Sequence, residues 1–182
     1  MTDTAPLDAE QLALYFALME VSTLLQYAVE QQLRTDGGLS WVQFQILAGL
    51  SDRHDGRQRM TDIADRVVYS RSGLTYQATQ LEKAGLITRT PDPSDERSTI
   101  VAVTAAGRAL VRRVLPGHMA IVRETLLQHI NHRDSTTLTN VLGRIRERMR
   151  AAPPRSAAPR RATGNSSADS SSRPRGSTRA ES

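Results

Sequence analysis

Between residues 8 and 34 the apolar positions Leu12, Phe16, Met19, Leu24, Tyr27 and Leu33 recur at mixed spacings of three and four, with few helix breakers among them. That period predicts one long helix, and the Gly37-Gly38 pair supplies its end. Trp41, Phe44, Leu47 and Leu50 then recur every three residues behind Ser40, a residue suited to cap a helix, until DRHDGR stops the pattern. Two shorter stripes follow. Ile63, Ala64 and Val67 lie behind a capping Thr61, and Leu74, Ala78 and Leu81 lie behind a capping Ser70, with Gly85 as the left-handed residue that closes the second helix. Only Val68, Tyr69 and Ser70 or thereabouts separate the two. A short helix, a tight turn and a second helix with an apolar inner stripe form the helix-turn-helix pattern.

After Gly85 the period changes to two. LITRT and TIVAV have the β-branched content of strands, and DPSDERS, residues 92 to 98, reads as the hairpin loop between them. From Thr104, another good cap, helical spacing returns at Leu110, Val114, Ile121, Leu126 and Ile130, then at Leu138, Val141, Leu142, Ile145 and Met149. Pro116-Gly117 is expected to kink or divide the first of these helices. The expected fold is mainly α: a winged helix-turn-helix with a two-stranded β-wing, between long N- and C-terminal helices. The chain divides accordingly into 1–38, 39–104, 105–150 and a tail, 151–182. The tail has no Leu, Ile, Val, Phe, Tyr or Trp, so it is expected to be disordered.

Composition narrows the classes. The chain has 182 residues, 38% of them apolar, and no cysteine, which removes disulfides, thiolate nucleophiles, thiol redox switches and sulfur-ligated zinc. No stretch approaches the roughly 20 continuous apolar residues of a membrane span, and the N-terminus lacks the order of a signal peptide, so a cytoplasmic protein without membrane contact is expected. The net charge is +5, but the tail carries six Arg against Asp169 and Glu181, which leaves +1 for residues 1 to 150. A nucleic-acid reading of the body must therefore rest on where charges sit.

The outer face of the second short helix carries Ser72, Thr75, Tyr76, Thr79, Gln80 and Lys83, with Ser70 and Arg71 at its start. Hydroxyls, an amide and cations can bond to base edges and phosphates, and the helix N-terminus favours phosphate. A hairpin beside such a helix reaches the minor groove, whose concentrated negative potential attracts Arg. Arg97 is suited to that role. Asp95, two residues before it, is expected to accept from its guanidinium and hold it outward, while Asp92, Asp95 and Glu96 repel the DNA backbone.

The stretch LEKAGLITRTPDPSDERSTIVAVTAAGRAL resembles the core of the multiple antibiotic resistance regulator (MarR) family of winged-helix transcription factors. The resemblance rests on Leu81, Glu82, Lys83 and Gly85, on Arg89, on Asp95 with Arg97, and on Thr104 with Gly107 and Arg108; in helix order it extends over residues 10 to 150. It implies a homodimer whose first and last long helices interlock. It also implies a pseudo-palindromic double-stranded DNA operator, usually repressed, and relief by a small aromatic or phenolic effector, with Arg89 added to the DNA-binding set. The apolar residues of the terminal helices independently exceed what one small winged helix needs, which fits burial against a partner. Glu96 stands where relatives often carry a second basic residue, and sensing through cysteine is excluded.

The helix after Pro116-Gly117 should line the family's ligand pocket, so His118 is the candidate to bond an effector, with Tyr15, Tyr27 and Trp41 as aromatic candidates. His129 and His132 fall three apart on an expected helix, but no carboxylate completes a metal site. No phosphate-cradling loop, nucleophile elbow or acid-base pair is evident, so neither an enzyme nor a resident cofactor is expected. Two other readings stay open: a small-molecule-binding dimer with little operator specificity, and a non-specific DNA-coating protein driven by the tail.

Overall fold

The computed structural model describes residues 5–67 and 69–151. Its elements run α1 (Ala9–Gly37), α2 (Trp41–Ser51), β1 (Arg57–Arg59), α3 (Met60–Val67), α4 (Arg71–Lys83), β2 (Ile87–Asp92), β3 (Asp95–Val103), α5 (Ala105–Thr125), a 3-10 turn (Leu127–His129) and α6 (His132–Arg150). Val68 and residues 152–182, hence the expected disorder of the tail, lie outside the described residues.

Helix ends follow from local chemistry. Asp8 and Ser40 each accept from the backbone N–H three residues on, and Gln11 and Gln43 return the bond, so α1 and α2 both open on a capping box. Gly38, at φ 65°, turns the chain out of α1. Thr61, expected to cap α3, lies inside that helix, with its hydroxyl turned toward Asp62.

The core is built around α2, whose Phe44, Ile46, Leu47 and Leu50 are buried against α1, α3, α4, α5 and β3. Leu33, Ile63, Leu74, Leu81, Ile87, Val101 and Val114 complete it. One helix thus touches both the helix-turn-helix and the long helices beneath it.

The wing has three strands, not two. The sheet order is β1-β3-β2, all antiparallel, and Arg57 to Arg59 pair with Ala102 to Ile100. RQR has no apolar period to announce a strand; its ladder is supplied by β3. The hairpin loop is also shorter than expected. Asp92 ends β2, Asp95 begins β3, and only Pro93 and Ser94 form the turn, because Asp92 Oδ1 accepts from Ser94 N (2.9 Å) and Ser94 Oγ (2.7 Å) and so closes an Asx-type turn.

Pro116 does not divide α5, which continues through it to Thr125. Gly117 serves close packing: a Cβ there would lie 2.6 Å from Asp36 Oδ2 and 2.8 Å from Gln32 Nε2 of α1. The break falls instead at Leu126, with φ −126° and ψ −61°. His129 and His132 consequently sit on different elements, and the described residues hold no cluster of three or more metal-ligating side chains.

No residue of α6 is buried, and Leu138, Leu142, Ile145 and Met149 are exposed on it. Helix α1 is similar. Leu12, Phe16, Met19, Leu24 and Tyr27 are exposed, and only Val29 and Leu33 near its C-terminal end are buried. No continuous apolar run is present, yet an 18-residue window of α1 has a mean hydropathy of 1.5, enough by length and composition to cross a membrane. That departs from the expectation of no such stretch, and it arises because apolar residues cover more of the helix than a single monomer core uses.

Candidate nucleic-acid interface

Helix α4 is started by Ser70, whose Oγ accepts from Gly73 N at 3.2 Å. Gly73 is required by the turn before it, since a Cβ would lie 2.6 Å from Cε1 of Tyr69, which packs over the first turn of α4. Leu74, Ala78 and Leu81 face the core, as their spacing predicts. Ser70, Arg71, Ser72, Thr75, Tyr76 and Lys83 are exposed on the other side, Tyr76 by 62%, while Thr79 and Gln80 are half-buried. Thr75 and Thr79 donate their hydroxyls to the carbonyls of Arg71 and Thr75, both at 2.9 Å. Their free functions are then an acceptor lone pair and a methyl, suited to the amino groups of adenine or cytosine and to the methyl of thymine.

The wing's charges are arranged differently from the sequence expectation. Arg89 does not point freely outward: its Nε lies 2.9 Å from Glu82 Oε2 and its Nη2 bonds to the same oxygen. Arg89's hydrogen bond, followed by its charge, holds the Glu82 carboxyl below its usual pKa. The pair ties the last turn of α4 to the first wing strand. At the tip, Arg59 Nε donates to Asp92 Oδ2 at 2.7 Å and Arg59 Nη2 to Ser94 Oγ at 3.1 Å. Ser94's N–H and hydroxyl, then Arg59, lower the Asp92 pKa, so one acid of the wing is both buried and paired.

Asp95 accepts from the backbone N–H of Arg97 (3.1 Å) and from Ser98 Oγ (2.7 Å), not from the Arg97 guanidinium as expected. The Ser98 hydroxyl and then the Arg97 N–H lower its pKa. Asp95 therefore shapes the backbone of the wing, and the exposed Arg97 guanidinium has no hydrogen-bond or ion-pair partner among the described residues. Sequence reading missed Arg59, Glu82 and Ser94. Glu82 stands in the quoted motif, but only the fold shows that its partner is Arg89.

Thr104, Gly107 and Arg108 are structural. Thr104 caps α5 and donates to Gly85 O at 2.8 Å. A Cβ on Gly107 would lie 2.2 Å from Leu86 O, and Arg108 Nη1 donates to Ser51 O at 2.9 Å, at the negative end of α2.

Of the four ligand candidates, the fold brings two together. Trp41 and His118 have ring centroids 6.0 Å apart, and Phe44 stands 4.7 Å from His118. Trp41 and His118 border a cavity of about 180 Å³ lined also by Ser22, Leu25, Gln26, Val29 and Val122. His118 is buried, its Nδ1 has no hydrogen-bond partner among the described residues, and desolvation pushes its pKa down, which favours the neutral ring. Tyr15 and Tyr27, 50% and 66% exposed, do not line this cavity. They sit on the open face of α1.

Residues 39–99, from the end of α1 through most of the wing, match the MarR family profile. The chain is 30% identical over 144 residues to the HTH-type transcriptional regulator PecS of Dickeya dadantii (strain 3937), covering 79% of this chain and 86% of PecS. It is 26% identical over 145 residues to the HTH-type transcriptional repressor YetL of Bacillus subtilis (strain 168), covering 80% of this chain and 86% of YetL. Among solved structures it is similar to AbsC of Streptomyces coelicolor, at 32% identity and a TM-score of 0.75, covering 81% of this chain and 99% of AbsC. It is also similar to Sco3205 of Streptomyces coelicolor, solved in complex with DNA, at 28% identity and a TM-score of 0.76, covering 81% of this chain and 92% of Sco3205. With a capped recognition helix tied to a three-stranded wing, and with relatives and solved structures alike over about four fifths of its length, the chain belongs to the MarR family of winged-helix transcriptional regulators.

Proposed function

We propose that this regulator is a homodimeric repressor that reads an inverted-repeat operator and is released by a small aromatic effector. The observation that carries the operator reading is the joint presentation, on one braced unit, of the exposed face of α4 and the Arg97 guanidinium, which is unpaired among the described residues. In this reading Arg71 and Lys83 meet phosphates, Ser72, Thr75, Tyr76, Thr79 and Gln80 read the major groove, and Arg97 enters the minor groove. Arg89 and Asp95 act as positioning residues. The exposed apolar faces of α1 and α6 support a second copy as the partner, because patches of that extent are covered in a water-soluble protein. A two-fold axis between the copies sets the two α4 helices about 34 Å apart, one DNA turn. Such a regulator works in the cytoplasm, in the compartment that holds the operator DNA.

Effector response is supported by the cavity beside α2. That helix carries Trp41 at the cavity, with Phe44 stacked behind it, and two turns of it also hold α3: Gln45 O accepts from Arg66 Nη1 at 3.2 Å, and the Arg66 guanidinium lies directly over Gly49. A change in the packing of α2 is therefore passed to the helix-turn-helix.

The test is anisotropy titration of labelled DNA from upstream of the protein's own gene against a scrambled duplex, across a salt series, with the full chain and a chain ending at Ala151. Preference for the upstream DNA in both chains is the expected result. Equal weak binding to both duplexes, lost with the tail, would favour the DNA-coating reading instead.

A further inference from the structure

We propose that Arg66 is a positioning residue for operator recognition: its guanidinium, laid on the Gly49 backbone of α2, sets where α3 sits and thereby how α4 meets the major groove. The inference rests on the operator reading above and deepens it by naming a residue, outside both the α4 face and the wing, on which sequence preference depends.

Arg66 lies in the last turn of α3, shortly before Ser70, the cap of α4. Its Nη1 donates to Gln45 O at 3.2 Å, a carbonyl inside α2 that also takes the N–H of Gly49 by helical geometry. A Cβ on Gly49 would fall on Nη1, Cζ and Nη2 of Arg66. The guanidinium therefore occupies the space that any other residue at 49 would fill, and the planar group itself is the spacer between the two helices. The joint beyond it is short. Tyr69 N donates to Ala64 O at 3.3 Å, and the Tyr69 ring packs against Gly73 in the first turn of α4, so a shift of α3 on α2 carries α4 with it.

The arrangement works against stability. Nε and Nη2 of Arg66 are buried and have no hydrogen-bond partner among the described residues, and burial, then the charge of Arg53, lower the pKa of the guanidinium. None of the ion pairs formed among the described residues includes Arg66. Buried donors and charges without partners destabilise a fold, and an apolar side chain of similar length in their place is often neutral or stabilising. Methionine at 66 would therefore serve stability at least as well. What arginine adds is a rigid plane of fixed thickness and one directed bond that sets the register of α3 along α2. Because Nε and Nη2 are shielded from solvent, they do not serve as phosphate contacts.

The experiment compares full-length wild type with Arg66→Met, Gly49→Ala and the double variant, by thermal melting and by anisotropy titration of the upstream and scrambled duplexes across a salt series. Arg66→Met removes the plane and its bond. Gly49→Ala expels the plane with a methyl while the chain stays folded, because the displaced group is the end of a flexible side chain and alanine favours the helix. The expected result is a melting temperature of Arg66→Met at or above wild type, together with a preference for upstream over scrambled DNA that falls about tenfold in each single variant, the equivalent of one lost base contact. The salt slope is expected to stay unchanged, and the double variant to lose no more preference than either single one, since both act through the same contact. A lowered melting temperature with undiminished preference in Arg66→Met would make the residue merely structural and overturn the proposal. A salt slope reduced by about one, the mark of a lost phosphate contact, would overturn it as well. So would wild-type preference in Gly49→Ala. Preference in wild type that the variants keep defeats this inference alone, whereas no preference in wild type defeats the operator reading and this inference with it.

Discussion

Arg89 and Arg97 stand on the two strands of one hairpin, and their surroundings give them different tasks. Arg89 spends its guanidinium on Glu82, whereas Arg97 has its backbone N–H held by Asp95 and its side chain exposed, with no partner among the described residues. Replacing Arg97 by Ala is expected to weaken upstream-DNA binding by about 10- to 100-fold, the equivalent of about 1–3 kcal/mol for a groove contact, with an unchanged melting temperature. Unchanged anisotropy at moderate salt would remove the wing tip from recognition. Gly107 offers a contrasting case, because its role is wholly structural. A methyl placed 2.2 Å from Leu86 O must push the wing base from α5, so Gly107→Ala is expected to cost about 1–3 kcal/mol, read by chemical denaturation. A neutral result would mean that α5 and the wing base are not so closely packed.

The wing as an element is held at both ends, by Glu82–Arg89 at its base and Arg59–Asp92 at its tip. The carboxyls of Glu82, Asp92 and Asp95 all titrate below their ordinary values. Depressed folded-state values mean that the stability these acids confer is fully present above the usual carboxylate pKa of about 4 and is lost as pH falls through the lower folded values. Melting temperature should therefore fall with acidification through that window, and Asp92→Asn should flatten the fall. An equally steep acid limb in Asp92→Asn would show that the tip bonds do not contribute. The same bracing explains how an acid-rich tip remains compatible with DNA: Asp92 is paired and buried, and Asp95 turns its oxygens to Arg97 N and Ser98.

At the scale of the whole molecule, the two terminal helices leave most of their apolar residues exposed. Helix α6 buries none of its own residues, and α1 exposes Leu12, Phe16, Leu18, Leu24 and Tyr27. Sedimentation equilibrium is expected to give twice the 20.0 kDa chain mass. Leu142→Glu on α6 and Leu24→Glu on α1 each place a charge in the proposed interface, and each should shift the protein toward monomer and reduce operator affinity together. Retention of the dimer in both variants would place the interface elsewhere.

The sequence by itself determined the helices that open on Ser40, Ser70 and Thr104, the inner stripe of α4, the Gly38 and Gly85 exits and the existence of a hairpin. These features come from caps and periods that act within about four residues, so they are written locally. It also marked the outer face of α4, since a face follows from 100° per residue. Only the tertiary structure decided which groups are free and which are occupied. Arg59 meets Asp92 across 33 positions of sequence, β1 acquires its ladder from β3, and Trp41 meets His118 from a different helix. Pro116 failed to break α5 because one missing N–H is outweighed by packing on α1, and Tyr15 and Tyr27 missed the cavity because periodicity gives a side chain's face but not the neighbour it faces. Pairing between distant residues depends on how elements dock, and that information is in the packed core and not in any one segment.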